Sequence, residues 1–249
     1  PRGVRLFTAG APPAAATIEL VERELGWNLT HVYGLTETAP LITFCEPLPE
    51  HKELSLSERA KVKACQGVEL VSSGELHVVL EDGTEVPRDG QTLGEIIVRG
   101  NVVMSGYYND PEATSNAIKD GWFHSGDAAV VHPNGYVEIR DRFKDVIISG
   151  GENISSVELE GCLLAHPAVQ EVAVVGMPHE KWGEAPHAFV VLKNNAESNE
   201  DELKGHVRNS LAHFKVPKWV SFVEDLPKTA TGKVQKYVLR GRKAGISQQ

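Results

Sequence analysis

The sequence lacks the features that mark several protein classes. Its 249 residues include three cysteines with no CxxC spacing, so neither a disulfide framework nor a zinc site is indicated, and a reducing compartment is the default expectation. No apolar run is long enough to cross a bilayer, and no charged-then-apolar leader opens the sequence. No basic stripe is interleaved with aromatic residues and the net charge is −9, which argues against nucleic acid as a partner.

What is present is the composition of an ordinary globular protein, with 41% apolar and 24% charged residues. The acidic excess lies in residues 1–141, which carry 11 Lys+Arg against 21 Asp+Glu, whereas residues 142–249 carry 14 against 13. We place a domain boundary at Asp141–Lys144, where charge balance and periodicity change together. The cytoplasm is the expected location, because no targeting signal is seen and Ile246–Gln249 is not a peroxisomal tripeptide.

Apolar periodicity predicts alternating strands and helices, and hence an α/β protein. In the first domain it predicts strands and helical segments at Val4–Thr8, Ala14–Leu25, Leu29–Tyr33, Glu50–Gln66, Glu75–Leu80 and Glu95–Arg99. In the second it predicts strands and helices at Val146–Ser149, Val157–Ala165, Val169–Val175, His187–Leu192, Asp201–His213 and Trp219–Val223, with a last helix near Lys233. A capping box at Ser155–Glu158 is expected to open the first of these helices.

Asp127 and Arg142 are the most informative pair of residues. They lie on either side of the turn His132–Gly135, where Asn-Gly supplies the positive φ angles of a tight reversal. A hairpin would bring this carboxylate and guanidinium to one ligand. Taken singly, the first could satisfy a turn and the second could be a surface cation.

Tyr33–Glu37 (YGLTE) places an aromatic ring, a glycine, a hydroxyl and a carboxylate at the end of a strand, where ligands of α/β sheets usually sit. The ring can stack on a base, Thr36 can donate to a phosphate, and the hard oxygens of Glu37 can hold Mg²⁺. Five residues alone could equally be a plain strand-to-loop transition.

Seven motifs in order resemble the adenylate-forming acyl-activating enzymes, nearest to short- and medium-chain acyl-CoA synthetases. They are Gly10–Pro12, Tyr33–Glu37, Gly121–Asp127, Asp141–Asp145, Ser149–Asn153, Val157–Glu160 and Pro227–Lys233. The resemblance implies the C-terminal part of a large AMP-binding domain with a β-rich subdomain (1–141), followed by a small mobile α+β domain (142–249). It also implies ATP, Mg²⁺ and coenzyme A as cofactors or cosubstrates, and a carboxylic, expectedly fatty, acid as substrate.

The resemblance also assigns roles to individual residues. Those that would bind the nucleotide or coenzyme A are Gly10, Ala11, Pro12, Tyr33, Gly34, Thr36, Asp127, Ile139, Arg142, Lys144, Gly150 and Gly151. Asp127 and Arg142 would contact the ribose, Glu37 would hold Mg²⁺, and Lys233 and Thr36 would act on the reacting carboxylate and phosphate. Lys144 matches a hinge, and the two glycines would border the pantetheine.

One part of the family pattern is missing from the sequence. The Ser/Thr- and Gly-rich phosphate loop ending in Pro-Lys, which the resemblance places upstream of Gly10, has no counterpart in these residues. We therefore expect a chain that lacks the N-terminal part of its large domain and has weak or no ligase activity alone. Two alternatives stay open: a nucleotide- or partner-binding fragment, and an adenylation subunit that loads a carrier protein.

Overall fold

The computed structural model describes residues 3–10, 12–230 and 232–241. The chain divides into two compact units between Phe143 and Lys144, which lies within the range Asp141–Lys144 where the sequence places the boundary. No helix among these residues has the length and apolar character needed to span a membrane. The architecture is mixed α/β with three sheets, in agreement with the predicted class.

The first sheet of the first unit begins with a β-α-β element. Strands β1 (Arg5–Thr8) and β2 (Asn28–Tyr33) are parallel, and α1 (Ala15–Leu25) connects them. The helix ends at Gly26, whose φ of 65° is the left-handed conformation that glycine adopts without a steric penalty. Two short antiparallel strands, β3 (Thr43–Phe44) and β4 (Val68–Glu69), complete the sheet.

The predicted helical segment 50–66 is divided in two. Pro49–Glu53 forms a 3₁₀ turn, and α2 covers only Leu56–Ala64. The break occurs because Ser55 leaves the helical conformation and caps a new helix. Its hydroxyl oxygen accepts from the Glu58 amide, and its own amide donates to the Glu58 carboxylate.

The second sheet of the first unit is antiparallel. Its strands are β5 (Glu75–Val79), β6 (Gly94–Arg99), β7 (Ile118–Lys119), β8 (Trp122–Val131) and β9 (Val137–Arg142), and α3 (Pro111–Ala117) precedes β7. The order is β5-β6-β8-β7, with β9 also paired to β8. Its apolar face buries Ile42, Val78, Val86, Ile96, Val98, Ala129 and Val137.

The described part of the second unit contains a five-stranded sheet whose two faces are both covered by helices. Its elements are β10 (Ile147–Ser149), β11 (Glu152–Ile154), α4 (Ser156–Leu164), β12 (Val169–His179), β13 (Gly183–Leu192), α5 (Glu200–Ser210), β14 (Trp219–Phe222) and α6 (Lys236–Arg240). Val172 and Val174 pack with α4 and α5 on one side, and Ala173 and Val175 pack with the α6 residue Leu239 on the other. This is the two-residue alternation of a strand.

Four expectations for the second unit need correction. The helix predicted at 201–213 ends at Ser210, and the last helix begins at Lys236 instead of near Lys233. Ser155 caps α4 by accepting from the Glu158 amide, but the Glu158 carboxylate pairs with Lys215 at 2.5 Å and does not complete a capping box. The apolar run Val146–Ser149 predicts a buried strand, but the strand covers only Ile147–Ser149 and Ile147 alone is buried in it.

Candidate functional site

Asp127 and Arg142 face each other across β8 and β9, as the hairpin prediction requires. They are direct register partners, and Arg142 Nε lies 3.1 Å from Asp127 Oδ1. The register shifts by one residue between Ala128 and Ala129, which marks a β-bulge. The Asp127 side chain is only 5% exposed, whereas that of Arg142 is 36% exposed. The pair therefore presents a mostly buried carboxylate beside an accessible guanidinium.

Tyr33 completes this arrangement from a different sheet. Its hydroxyl donates to Asp127 Oδ2 at 2.6 Å, which is the short distance typical of a hydrogen bond to a charged acceptor. Burial raises the pKa of Tyr33 well above its usual value, and the nearby negative charge of Asp127 raises it further. The phenol therefore stays protonated and remains a donor. A carboxylate can accept about four hydrogen bonds, so Asp127 keeps acceptor capacity for a ligand.

The backbone around Asp127 is held by a neighbouring carboxylate. Glu95 Oε1 accepts from the Gly126 amide at 3.0 Å, and Glu95 Oε2 lies 2.7 Å from His124 Nδ1. Ser125 Oγ donates to the Ile96 carbonyl and accepts from the Asp127 amide. These bonds fix the strand segment that precedes Asp127, and so help to hold its side chain in one place.

The loop after β2 turns sharply, and its glycine is required for packing. A Cβ at Gly34 would lie 1.7 Å from the carbonyl oxygen of Pro40. Thr38 stabilises the same turn, because its hydroxyl accepts from the Leu35 amide at 2.9 Å and donates to the Leu35 carbonyl at 3.0 Å. Thr36, at the start of the 3₁₀ turn Thr36–Thr38, is exposed.

Glu37 has a partner that the sequence did not reveal. The hydroxyl of Tyr107 donates to Glu37 Oε1 at 2.9 Å, and the Met104 amide donates to the Glu37 carbonyl at 2.8 Å. Partial burial raises the pKa of Tyr107, and the charge of Glu37 adds to the effect. Seventy residues separate the two side chains, so no local pattern could have linked them.

The remaining expected nucleotide residues lie nearby or outside the described chain. Gly10, with a φ of +90°, and Pro12 follow β1, and Ala11 lies outside the described residues. Since β1 and β2 are parallel, the segments after Thr8 and Tyr33 leave the same edge of the sheet. Ile139 packs in the core of the second sheet, and its amide donates to Gln66 Oε1. The structure thus brings Tyr33, Asp127 and Arg142 together, and Ile139 is partly buried against the core of the second sheet.

Gly150 and Gly151 form the tight turn between β10 and β11. Their φ angles are +63° and +89°, which is the left-handed pair that a two-residue hairpin turn requires. A Cβ at Gly150 would lie 2.8 Å from the Trp182 ring, and the Gly150 amide donates to the Trp182 carbonyl at 2.9 Å. The glycines are therefore more than a flexible connector.

Lys233 lies in a hydrogen-bonded turn. Lys228 and Val234 form an antiparallel bridge, and the Thr229 amide donates to the Lys233 carbonyl at 2.8 Å. The Lys233 amide donates to Thr229 Oγ1 at 3.1 Å, and the side chain of Lys233 is exposed. This bridge is the reason that α6 starts only at Lys236.

Two residues that the sequence reasoning missed hold the start of α6 in place. Lys236 Nζ lies 2.8 Å from Glu160 Oε1, and their side chains are 17% and 18% exposed. The same carboxylate oxygen accepts from the Val174 amide at 2.8 Å. At the other end of the second unit, Lys144 lies in the turn that opens it, and its carbonyl accepts from Arg240 at 3.3 Å.

Comparison with known proteins identifies the family. Residues 1–108 match the model described as AMP-binding enzyme, and residues 158–233 match the AMP-binding enzyme C-terminal domain. Probable acyl-activating enzyme 6 of Arabidopsis thaliana is 51% identical over 240 residues, which are 95% of this chain and 44% of that protein. The 2-methylpropanoate–CoA ligase CCL4 of Humulus lupulus is 50% identical over 247 residues, which are 98% of this chain and 44% of that protein.

A solved structure agrees with the sequence relatives. The o-succinylbenzoate CoA synthetase MenE of Bacillus subtilis, in complex with its acyl-adenylate intermediate, superposes with a TM-score of 0.81 at 32% identity, covering 97% of this chain and 47% of that one. This chain spans less than half the length of each of these proteins. With the two family models matched in order along its length, the chain belongs to the adenylate-forming acyl-activating enzymes, the superfamily of AMP-binding enzymes.

Proposed function

We propose that this chain takes part in the ATP-dependent activation of a carboxylic acid, which proceeds through an acyl-adenylate to a thioester of coenzyme A. The observation that carries the proposal is the contact of Tyr33, Asp127 and Arg142. Two segments of the first unit meet there around a carboxylate that is 5% exposed, and a buried carboxylate with preset partners is suited to bind the vicinal hydroxyls of a ribose.

The first half-reaction needs a carboxylate to attack the α-phosphate of ATP with release of pyrophosphate. Asp127 accepts from the ribose hydroxyls, and the Arg142 guanidinium lies beside the same sugar. Thr36 donates to the α-phosphate from its exposed turn. Lys233 places positive charge where the negative charge moves between carboxylate and phosphate oxygens. Preorganised charge of this kind is worth about 3 kcal/mol in a transition state.

Glu37 fits a Mg²⁺ ion that accompanies the triphosphate. Its carboxylate supplies the hard oxygen that Mg²⁺ prefers, and it is partly exposed beside the Tyr107 hydroxyl. When bound, the ion would neutralise charge on the phosphates. The role of the chain is to keep Glu37 fixed, because Tyr107 donates to its carboxylate and the Met104 amide donates to its backbone carbonyl.

The second half-reaction transfers the acyl group to a thiol and releases AMP. We assign Gly150 and Gly151 to the pantetheine arm, because a turn without side chains lets a thin ligand pass close to the backbone. We assign Lys144 to the hinge, in agreement with the division of the chain at Phe143 and Lys144. Hinges of this type are a few residues at element ends that absorb a φ/ψ change.

We propose a short or medium-chain fatty acid as the substrate. Support comes from the relative CCL4, whose name gives 2-methylpropanoate, a short branched acid. The motifs that place this chain nearest to short- and medium-chain synthetases point the same way. A panel of aliphatic and aromatic acids would test this assignment separately from the reaction type.

ATP–pyrophosphate exchange with that panel tests the adenylation step, on this chain and on any longer parent protein. Asp127→Asn should lower exchange and AMP affinity, whereas Asp120→Asn, an exposed Asp in a left-handed conformation that Asn tolerates, should change neither. Lys233→Ala should abolish exchange yet spare thioester formation from supplied acyl-adenylate. Equal loss in both half-reactions would refute the role given to Lys233.

A second candidate function is nucleotide binding without ligation. It is favoured by the absence of a Ser/Thr- and Gly-rich phosphate loop ending in Pro-Lys from the 249 residues. AMP binding by this chain without exchange, together with exchange by a longer parent, would support it. Transfer of the acyl group to a carrier protein in place of coenzyme A would identify the third possibility, an adenylation subunit.

A further inference from the structure

Three side chains of different chemistry converge at the turn end of the β8–β9 hairpin. The segment after α2 lies against β9, because Gly67 bridges to Val137 and the Gln66 amide donates to the Val137 carbonyl at 2.9 Å. This pairing places the thiol of Cys65 beside the hairpin. His132 and Glu138 flank the turn, and His132 Nε2 lies 2.6 Å from Glu138 Oε2.

The donor atoms are close enough to share one ion. One ligand atom each from Cys65, His132 and Glu138 lies within 4.8 Å of the others. A tetrahedral ion with bonds of about 2.0–2.3 Å holds its ligand atoms roughly 3.3–3.8 Å apart. The sulfur therefore has to move inward by at most about 1.5 Å, and the imidazole and carboxylate atoms separate by less than about an ångström. Side-chain rotations supply shifts of this size.

We propose that Cys65, His132 and Glu138 form a three-ligand site for Zn²⁺, with water as the fourth ligand. Thiolate, imidazole and carboxylate are the ligand types that zinc accepts, whereas Mg²⁺ and Ca²⁺ avoid sulfur and nitrogen. On binding, the Cys65 thiol proton is released to solvent, the ring proton of the His132–Glu138 hydrogen bond is exchanged through solvent to Nδ1 of His132, and that hydrogen bond is replaced by two bonds to the metal. The balance leaves a neutral core of one Zn²⁺ and two anionic ligands.

The surroundings allow the ion to enter. Cys65 is 8% exposed and forms the buried side of the proposed site. The side chains of His132 and Glu138 are 31% and 27% exposed, so the outer side is open to water. Burial raises the pKa of the Cys65 thiol, and a bound zinc ion reverses this by stabilising the thiolate.

Arg140 competes with the metal for the same carboxylate. Its Nη2 atom lies 3.1 Å from Glu138 Oε2 and 3.4 Å from the Gly90 carbonyl oxygen. This guanidinium repels an incoming dication and holds Glu138 in the metal-free arrangement. If His132, Glu138 and Arg140 form only a hydrogen-bonded network, removal of the Arg140 charge should create no zinc affinity. If they surround a metal site, its removal should strengthen zinc binding.

The experiment is a zinc titration of the full chain after treatment with a chelator, in competition with a chromophoric zinc indicator. We expect one equivalent of zinc to bind, and Cys65→Ser and His132→Gln each to weaken binding at least tenfold. Cys162→Ser, a partly buried cysteine of the other unit, should bind as the parent does. Arg140→Gln should bind zinc roughly tenfold more tightly, because a nearby positive charge is removed.

Cobalt gives a direct reading of the thiolate. Co²⁺ bound to the parent chain should show thiolate-to-metal charge-transfer absorption, and Glu138→Gln should weaken cobalt binding while keeping that band. Circular dichroism checks that each variant is folded. If Cys65→Ser is unstable, the Glu138 and Arg140 variants still test the site, because they leave the buried cysteine unchanged. Failure of the parent to bind zinc, unchanged binding in Cys65→Ser, or cobalt binding without the charge-transfer band would each overturn the proposal.

Discussion

Mild acid should destabilise the second unit through one buried histidine. His187 on β13 is fully buried, stacks on Phe189 at 4.2 Å and shares a 2.8 Å hydrogen bond between Nε2 and Ser221 Oγ. Among the described residues its Nδ1 has no hydrogen-bond partner. Burial lowers the pKa of His187 from 6.5 to about 4, and the weaker attraction of Glu200 acts in the opposite direction.

The sign and size of the effect follow from proton linkage. Below pH 6.5 the unfolded chain binds a proton that the folded unit does not, so stability is complete above pH 6.5 and falls as the pH approaches 4. From the two pKa values, the loss is about 2 kcal/mol at pH 5 and about 3 kcal/mol at pH 4. A loss of that size is a large share of a typical domain stability of about 5–15 kcal/mol.

Hydrogen exchange resolved by mass spectrometry measures this loss on the intact chain. The opening free energy of amides in 183–192 is followed between pH 7 and pH 5, after correction for intrinsic exchange rates. His187→Gln can keep a hydrogen bond to Ser221 but cannot titrate, so it should be less stable at pH 7 and have a flatter pH slope. His213→Gln, an exposed control in the same unit, should keep the parent slope. Equal slopes in His187→Gln and the parent would refute the reasoning.

Three further substitutions test the sites by their contacts. Tyr33→Phe removes a donor to the buried Asp127 carboxylate, so it should cost about 2 kcal/mol in urea unfolding and weaken AMP binding in calorimetry. Gly34→Ala forces the loop away from the Pro40 carbonyl oxygen. The free energy of AMP binding should therefore weaken by more than the free energy of unfolding decreases. Glu160→Gln weakens the pair with Lys236 and should expose residues 236–240 to faster hydrogen exchange, whereas unchanged protection would argue against that anchor.

The elements predicted well were those with local signals. The β8–β9 hairpin follows from Asn134-Gly135 between two alternating runs, although only Gly135, with a φ of +85°, has the positive φ that was expected of both residues. The register partners Asp127 and Arg142 then follow from the turn position, apart from the bulge. A short sequence separation is the common property of these successes.

The features that the sequence did not predict depend on contacts between distant segments. The hydrogen bond from Tyr33 to Asp127 spans 94 residues. Cys65 showed no metal-ligand spacing, because its proposed partners are on a hairpin far along the chain. Lys233 was placed near a helix start, but the bridge between Lys228 and Val234 holds it in a turn. Periodicity reports the face of a single element and carries no information about which other element covers it.

The β-bulge in the hairpin decides which charges oppose each other. Near the turn Val131 pairs with Val137 and Ala129 pairs with Ile139, whereas beyond the bulge Ala128 pairs with Asp141, so Arg140 is the extra residue of β9. In a hairpin that kept the turn-end register, Asp127 would sit opposite Asp141, and two carboxylates would repel each other at the proposed ribose site. Within this sequence the extra residue therefore replaces a repulsive cross-strand pair by an attractive one, and deletion of Arg140 should remove the bulge yet keep Asp127 opposite Arg142, because the pairs Ala128–Asp141 and Asp127–Arg142 then continue the turn-end register.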